Sequence, residues 1–501
     1  MAVSLANLCF VSAWFRLLYD SDHGYFNKLR VTSANLWAMT VNLLVFSSLV
    51  WLVLRALRRF RNRWLQLAGH LSLFGLMLPP LDFCRTYLLH IPDYSLLAFI
   101  KSATGIVVLV LAVGVLSWQH RRIARLLAVI LGIFSPLALF TLAQIAMLLL
   151  GVRHLDQHSS DPILASPGPA HPDQPRVIWL IFDETDYRLA FEQRPANLQL
   201  PEFDRLRSQS FYATNAWPPG DSTLVSMPAL ISGRRLSNVV VYSASDLSAH
   251  LADTGKAVLW SELPSVFGSA RELGVNTAVV GWYHPYDRAL ASVLNYCAWY
   301  QHPLFEQGRA SRFESALWAQ ISCLGGTIAG RQFYADVLRA SLASSLSIVT
   351  NETYNLVLLH LPPPHKPGVY LPDRDRFTVF GMSKVAAYFN NLVLADHWLG
   401  KLRRSMEACG EWDHTWLIVS ADHSWRESKV YDRRRDLRVP FLVKAPGQSA
   451  MISYSPRFNT VLTHDFILAI LRGELATGQD TANWIDAHRS EAATIKDDAP
   501  E

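Results

Sequence analysis

The chain has 501 residues, half of them hydrophobic and 17% charged, with a formal net charge of +5. That length admits two or three domains; the apolar excess lies before residue 151, which excludes both an ordinary soluble protein and one held wholly inside a bilayer. The basic residues form no single patch of the kind that grips nucleic acid, so no nucleic-acid partner is expected.

In chain order, four apolar stretches run from Trp37 to Leu54, Trp64 to Leu81, Leu96 to Trp118 and Leu126 to Leu150. Each has about the 17–25 residues that cross a bilayer as a helix. The first connection carries Arg55, Arg58, Arg59, Arg61 and Arg63, and the third carries Arg121, Arg122 and Arg125. The second has only Arg85, offset by Asp82 and Asp93. Positive loops stay in the cytoplasm, so everything after Leu150 is expected outside the cytoplasmic membrane. The segment from Ala2 to Tyr19 reads as a fifth span or as an interfacial helix with Arg16 at the water line; the interfacial form is favoured. It lacks the basic start and small-residue cleavage site of a signal peptide.

Residues 151–175, rich in Pro, Ser and Asp, read as a linker. Continuous apolar runs then follow at Val177–Phe182, Thr277–Val280, Leu356–Leu359, Trp416–Val419 and Val439–Val443, as expected of strands buried on both faces. An amphipathic helix is predicted from Ser383 to Leu402. Strand–helix alternation predicts an α/β sandwich with a largely parallel central sheet over 176–475. A polar, loosely held tail is expected over 476–501. Cys297, Cys323 and Cys409 are an odd set for this half, and a Cys297–Cys323 bridge is compatible with an oxidising compartment.

Open α/β sheets bind ligands beyond the carboxyl ends of their strands. The first strand ends in Asp183-Glu184-Thr185-Asp186, and the Trp416–Val419 strand leads into Ser420-Ala421-Asp422-His423. Adjacent carboxylates at a strand end need a cation or basic groups to neutralise them, and carboxylate with imidazole suits zinc. Between them lies Pro219-Gly220-Asp221-Ser222-Thr223-Leu224-Val225-Ser226-Met227-Pro228. There a hydroxyl opening a helix serves either as an N-cap or as a nucleophile beside an anion-binding helix end.

From Arg176 to about Ile470 the order of segments resembles the alkaline phosphatase superfamily in its sulfatase-like branch, above all the membrane-bound phosphoethanolamine transferases and lipoteichoic acid synthases. VIWLIFDETD is similar to the first metal-ligand strand, with Glu184 as ligand and Asp183 beside it. GDSTLVSMPALISG resembles the nucleophile segment of the transferases. This implies Thr223 as nucleophile and metal neighbour, with Ser222 as the second choice. LPSVFGSARELGVNTAVVGWYHP resembles the sulfatase stretch ending in an active-site histidine, here His284. LLHLPPPHKP resembles the later histidine segment, here His360 and His365. VSADHS is similar to the second metal segment, giving Asp422 and His423.

The resemblance implies a divalent cation, zinc first, with manganese or calcium as alternatives. It implies transfer or cleavage of a phosphoethanolamine- or phosphoglycerol-type ester on an envelope lipid or glycan, with membrane lipid as neighbour. Two departures stand out. There is no Cys-x-Pro-x-Arg or Ser-x-Pro-x-Arg signature, from which sulfatases make formylglycine. Ser424-Trp425 and the run Arg433-Arg434-Arg435 stand where the transferases have glycine and a further histidine. The alternative readings are a sulfuric ester or phosphomonoester hydrolase, and a non-catalytic envelope-assembly module of this fold.

Overall fold

A computed structural model describes the chain apart from residues 20–21, 60, 92–95, 97–98, 158–160, 170, 172–173, 302–307 and 493–501. Asp93, parts of the third apolar stretch and of the linker, and the end of the polar tail therefore lie outside the described residues. The chain divides into two compact units. One comprises Met1–Gln157, His302–Tyr334 and Thr378–Ser383; the other comprises His158–Gln301, Ala335–Phe377 and Lys384–Glu501.

The first unit is helical: α1 (Ala2–Cys9), α2 (Val11–Leu18), α3 (Ser33–Arg59), α4 (Arg63–Gly75), α5 (Ala103–Trp118), α6 (His120–Ile133) and α7 (Ser135–Leu149). Local chemistry sets several starts. The Asn62 side chain accepts the Trp64 N–H at 2.8 Å, and Ser102 accepts the Gly105 N–H at 3.0 Å, satisfying donors that have no partner inside the helix.

Four spans are expected from hydropathy, and the third of these stretches lies partly outside the described residues. Among the described residues two helical stretches, Ser33–Arg59 and Arg63–Leu88, are long and apolar enough to cross a membrane. A third exists only if α5 and α6, bent by 88°, count as one. The stretch from Leu126 to Leu150 is broken between α6 and α7, where Pro136 occupies the first turn of α7. A proline there cannot donate to the preceding turn and clashes with it. The Ala2–Tyr19 segment, expected as a fifth span or an interfacial helix, is not one continuous helix. It forms two eight-residue helices, each about 12 Å long, whose apolar faces meet protein. Leu5 and Cys9 pack with Val50, Leu57 and Leu131, while Phe10, Trp14 and Leu17 pack with Leu36, Met39 and Leu43. Arg16 is partly buried rather than at a free surface. Meanwhile Leu44, Leu49, Leu52, Val107, Val110 and Leu111 are exposed on α3 and α5. An apolar surface of that extent needs lipid or a partner, and the two candidate helices fit a membrane anchor.

The second unit is a mixed α/β domain. Its main sheet contains β1 (Arg176–Phe182), β2 (Phe211–Trp217), β3 (Thr277–Trp282), β4 (Tyr296–Tyr300), β5 (Leu356–Leu361), β6 (Thr415–Ser420), β7 (Val439–Lys444), β8 (Ile452–Tyr454) and β9 (Phe458–Asn459). The order is β8-β2-β7-β6-β1-β5-β3-β4, with β9 also on β2. Only β7 runs against the rest. Every residue of β1, β3, β5, β6 and β7 is buried, as two-sided cover by helices requires. All five predicted strands are present, each extended by one or two residues. The predicted helix from Ser383 runs as Lys384–Ala408.

The predicted loose tail is corrected as well. Gly478–Ala492 is a helix whose Ile485 is fully buried. The Tyr454 hydroxyl donates to Asp486 at 2.7 Å. In the linker, Asn276 accepts the Gly168 N–H and donates to the carbonyls of Gly168 and Pro169. None of the five cysteines forms a disulfide, so the Cys297–Cys323 bridge is absent.

Candidate active site

Strand register creates the site. β1 and β6 are parallel neighbours with Ile181 opposite Ser420, so the two residues after each pair bring Asp183 beside Asp422. β5 flanks β1 on the other side with His360 opposite Ile181. The loop after β2 delivers the helix Thr223–Ser232 (α8) with Thr223 in its first turn. The approach is tight at Gly220, where a Cβ would lie 2.8 Å from Val225.

Asp183, Asp422 and His423 offer ligand atoms that all lie within 4.8 Å of one another, and all three are fully buried. His423 Nε2 is 3.7 Å from Asp183 Oδ1 and 3.5 Å from Asp422 Oδ2. Its other nitrogen, Nδ1, is 2.9 Å from the Ser424 carbonyl. A carbonyl can only accept, so Nδ1 carries the proton and the Nε2 lone pair faces the carboxylates. The Thr223 hydroxyl lies 3.3 Å from His423 Nε2 and donates to Asp183 Oδ2 at 3.3 Å. Among the described residues, Asp183 Oδ1 and Asp422 Oδ2 are buried with no hydrogen-bond partner. Buried carboxylate oxygens in that state are costly, and one divalent cation would satisfy both. The donor set of two carboxylates and an imidazole, with a hydroxyl alongside, fits such an ion. Burial, then the neighbouring Asp422 and Glu184 carboxylates, push the Asp183 carboxyl well above its usual range.

Glu184, the expected first ligand, lies outside the cluster that Asp183, Asp422 and His423 form. Glu184 has a left-handed backbone with φ of 68°, a conformation that costs a non-glycine residue energy. The turn carries its carboxylate to Arg426, whose backbone N–H and Nε are 3.4 and 3.5 Å from Oε1. Ser222, the second-choice nucleophile, contributes its backbone: its carbonyl accepts the N–H groups of Val225 and Ser226.

The three other histidines surround the cluster. His284 donates from Nε2 to the Thr223 carbonyl at 3.0 Å, holding the first turn of α8. The Tyr286 hydroxyl meets His360 Nδ1 at 2.8 Å, and His360 Nε2 is 3.9 Å from Asp183 Oδ2. His365 packs edge-on against Trp282, with ring centroids 5.0 Å apart. Burial lowers His284 to about 4 and His360 and His365 to about 3, so all three are neutral near pH 7.

Several contributors were not singled out from sequence. Trp282 donates its indole N–H to Asp183 Oδ2 at 2.8 Å. Tyr388 donates to the Glu184 carbonyl at 3.2 Å and accepts the Asp186 N–H at 2.9 Å. A tryptophan at the end of a buried strand and a tyrosine inside a helix read as core, and no local spacing marks them. At the second departure, Trp425 is buried against Tyr388, and Arg435 pairs with Asp221 in the turn before α8.

A sulfatase family model matches residues 175–471. No curated protein matches the chain. Similar solved structures include Ps i-CgsB, at 15% identity with 64% of this chain and 76% of that chain covered and a TM-score of 0.43. Another is the phosphonate monoester hydrolase of Agrobacterium radiobacter, at 11% identity, 60% and 74% coverage, and a TM-score of 0.40. Murine ectonucleotide pyrophosphatase/phosphodiesterase 5 is 12% identical, with 59% and 95% coverage and a TM-score of 0.37.

Proposed function

The chain belongs to the sulfatase family, and from that premise we propose that it is a membrane-anchored, metal-dependent enzyme that cleaves or transfers a phosphate-ester group with Thr223 as nucleophile. The observation that carries this reading is the position of the Thr223 hydroxyl, 3.3 Å from both Asp183 and His423, at the start of a helix. Helix starts present unpaired N–H groups and partial positive charge, which suit an anionic oxygen. Sulfatases make formylglycine from a Cys-x-Pro-x-Arg or Ser-x-Pro-x-Arg signature. Here residues 223–227 read Thr-Leu-Val-Ser-Met, without the proline and arginine of that signature, so a phosphate ester is favoured over a sulfate ester.

In the proposed reaction Asp183, Asp422 and His423 hold the cation, zinc first, with Thr223 beside it. Such an ion lowers the pKa of a nearby hydroxyl and neutralises phosphoryl charge. Thr223 Oγ forms a bond to phosphorus as the bond to the leaving oxygen breaks, giving a phosphothreonine. The Thr223 proton has Asp183 Oδ2 as its acceptor, and His284 keeps the backbone of Thr223 in place. His360 and His365 are assigned to contact with the phosphoryl group, and the leaving oxygen takes its proton from solvent. Water or a lipid or sugar hydroxyl then attacks phosphorus and frees Thr223. The exposed apolar helices of the first unit support an anchor that presents the site to lipid-borne phosphoesters. The arginine-rich connections support an extracytoplasmic site on a multi-pass protein of the cytoplasmic membrane.

The test is turnover of paired model esters by the full chain in detergent, with zinc or manganese supplied. We expect hydrolysis of bis(p-nitrophenyl) phosphate to exceed that of p-nitrophenyl sulfate by at least about 100-fold, roughly 2.7 kcal/mol in transition-state preference. Equal or greater sulfate cleavage would replace this reading with a sulfuric ester hydrolase.

A further inference from the structure

The cluster needs Asp183 to present one particular oxygen. Oδ1 is the atom 3.7 Å from His423 Nε2, and among the described residues it has no hydrogen-bond partner. Oδ2 receives two donors, the Trp282 indole at 2.8 Å and the Thr223 hydroxyl at 3.3 Å. Of these the indole is the shorter and the more rigid. Trp282 is only 1% exposed at the carboxyl end of β3, and its ring is braced edge-on by His365. Beneath it the sheet is closed by Gly281, where a Cβ would lie 2.4 Å from the Tyr286 ring. An indole N–H can donate but never accept or ligate, so it occupies Oδ2 without competing for a cation.

We propose that Trp282 is a positioning residue for the cation site: its indole N–H fixes the Asp183 carboxylate so that Oδ1 is the oxygen turned toward Asp422 and His423. The inference rests on the cation site proposed above. Groups that hold a metal ligand by its second atom typically account for about 10–100-fold of metal affinity. Without the indole bond the carboxylate can rotate about its Cβ–Cγ bond and offer either oxygen to the ion or to Thr223. The same bond leaves the Thr223 hydroxyl a fixed proton acceptor.

The test is zinc titration of the full chain in detergent, after stripping with chelator, against a competing indicator dye. Trp282→Phe keeps an aromatic ring and removes the donor. Trp179→Phe is the control, since Trp179 is buried in β1 and its Nε1 has no partner. We expect Trp282→Phe to weaken zinc binding about 10–100-fold and to alter the visible absorption bands of the cobalt-substituted protein, while Trp179→Phe leaves both unchanged. Binding by Trp282→Phe within about twofold of wild type overturns the proposal, and so does an equal loss in Trp179→Phe. If Trp282→Phe does not fold, a tryptophan isostere with sulfur in place of the N–H, inserted at position 282, makes the same comparison. A wild-type protein that binds no cation sinks the proposed metal site and this inference together; a wild type that binds no more tightly than the variant sinks this inference alone.

Discussion

Tyr388 and Trp425 lie face to face, with ring centroids 4.0 Å apart and planes 4° from parallel. Tyr388 comes from the helix Lys384–Ala408 (α9) and Trp425 from the loop that carries Asp422 and His423. The tyrosine hydroxyl bonds the opposite loop, at the Glu184 carbonyl and the Asp186 N–H. One aromatic pair therefore ties both carboxylate-bearing loops to a single helix. Trp425, a departure from the resembling transferases, serves as packing against that helix, and the Asp-His pair keeps its place. Trp425→Ala should lower unfolding free energy by about 3–5 kcal/mol, the usual cost of deleting a buried tryptophan. Trp425→Phe should recover much of it. Thermal unfolding of the full chain measures both, and a loss below about 1 kcal/mol in the alanine variant would show that the pair is not holding the loops.

Thr223→Ala should reduce phosphodiester turnover by at least about 10³-fold, since removal of a nucleophile costs as much or more in comparable enzymes. Its zinc content should stay near wild type, because Asp183, Asp422 and His423 remain. Thr223→Ser should retain activity. Rates and elemental analysis on the same samples decide this, and an active alanine variant would remove Thr223 from the nucleophile role.

Chelation should lower the melting temperature of the wild-type chain. A ligand at 100 times its Kd stabilises by about 2.7 kcal/mol, and stripping it also leaves the buried carboxylates of Asp183 and Asp422 uncompensated. Asp183→Ala should melt at the same temperature with or without chelator. A chelator effect that persists in that variant would place the stabilising ion elsewhere.

Asp396, within α9, accepts the Phe203 N–H at 2.8 Å, while its second oxygen is buried without a partner. Burial raises this carboxyl from 3.8 to about 7. A raised folded-state pKa means the native protein binds the proton more tightly than the unfolded chain. The associated stability is fully present below pH 3.8 and is lost as pH rises toward 7, by about 1.4 kcal/mol for each pH unit between those two values. Asp396→Asn keeps an acceptor for Phe203 and cannot ionise. Relative to wild type it should gain stability between about pH 5 and pH 8, read as the difference in melting temperature at the two values. A constant difference across that range would mean Asp396 is already ionised in the folded protein.

The order of segments made the α/β fold legible, because two-sided burial writes continuous apolar runs into β1, β3, β5, β6 and β7 regardless of distant context. The strand ends also exposed Asp183, Asp422, His423 and, through the helix start after Gly220, Thr223. Choosing between Asp183 and Glu184 was beyond the sequence. Both lie in the turn after β1, and the left-handed backbone at Glu184 decides which carboxylate enters the cluster. The breaks within the apolar helices were likewise undecided, since hydropathy sums over a window while the 88° bend after Trp118 and the break before Pro136 are local. Hydropathy also could not tell that α1 and α2 would bury their apolar faces in protein. Trp282 and Tyr388 stayed hidden for the same reason: they reach Asp183 and Glu184 from about 100 and 200 residues away in the chain, and contacts of that kind exist only once the sheet has set its strands side by side.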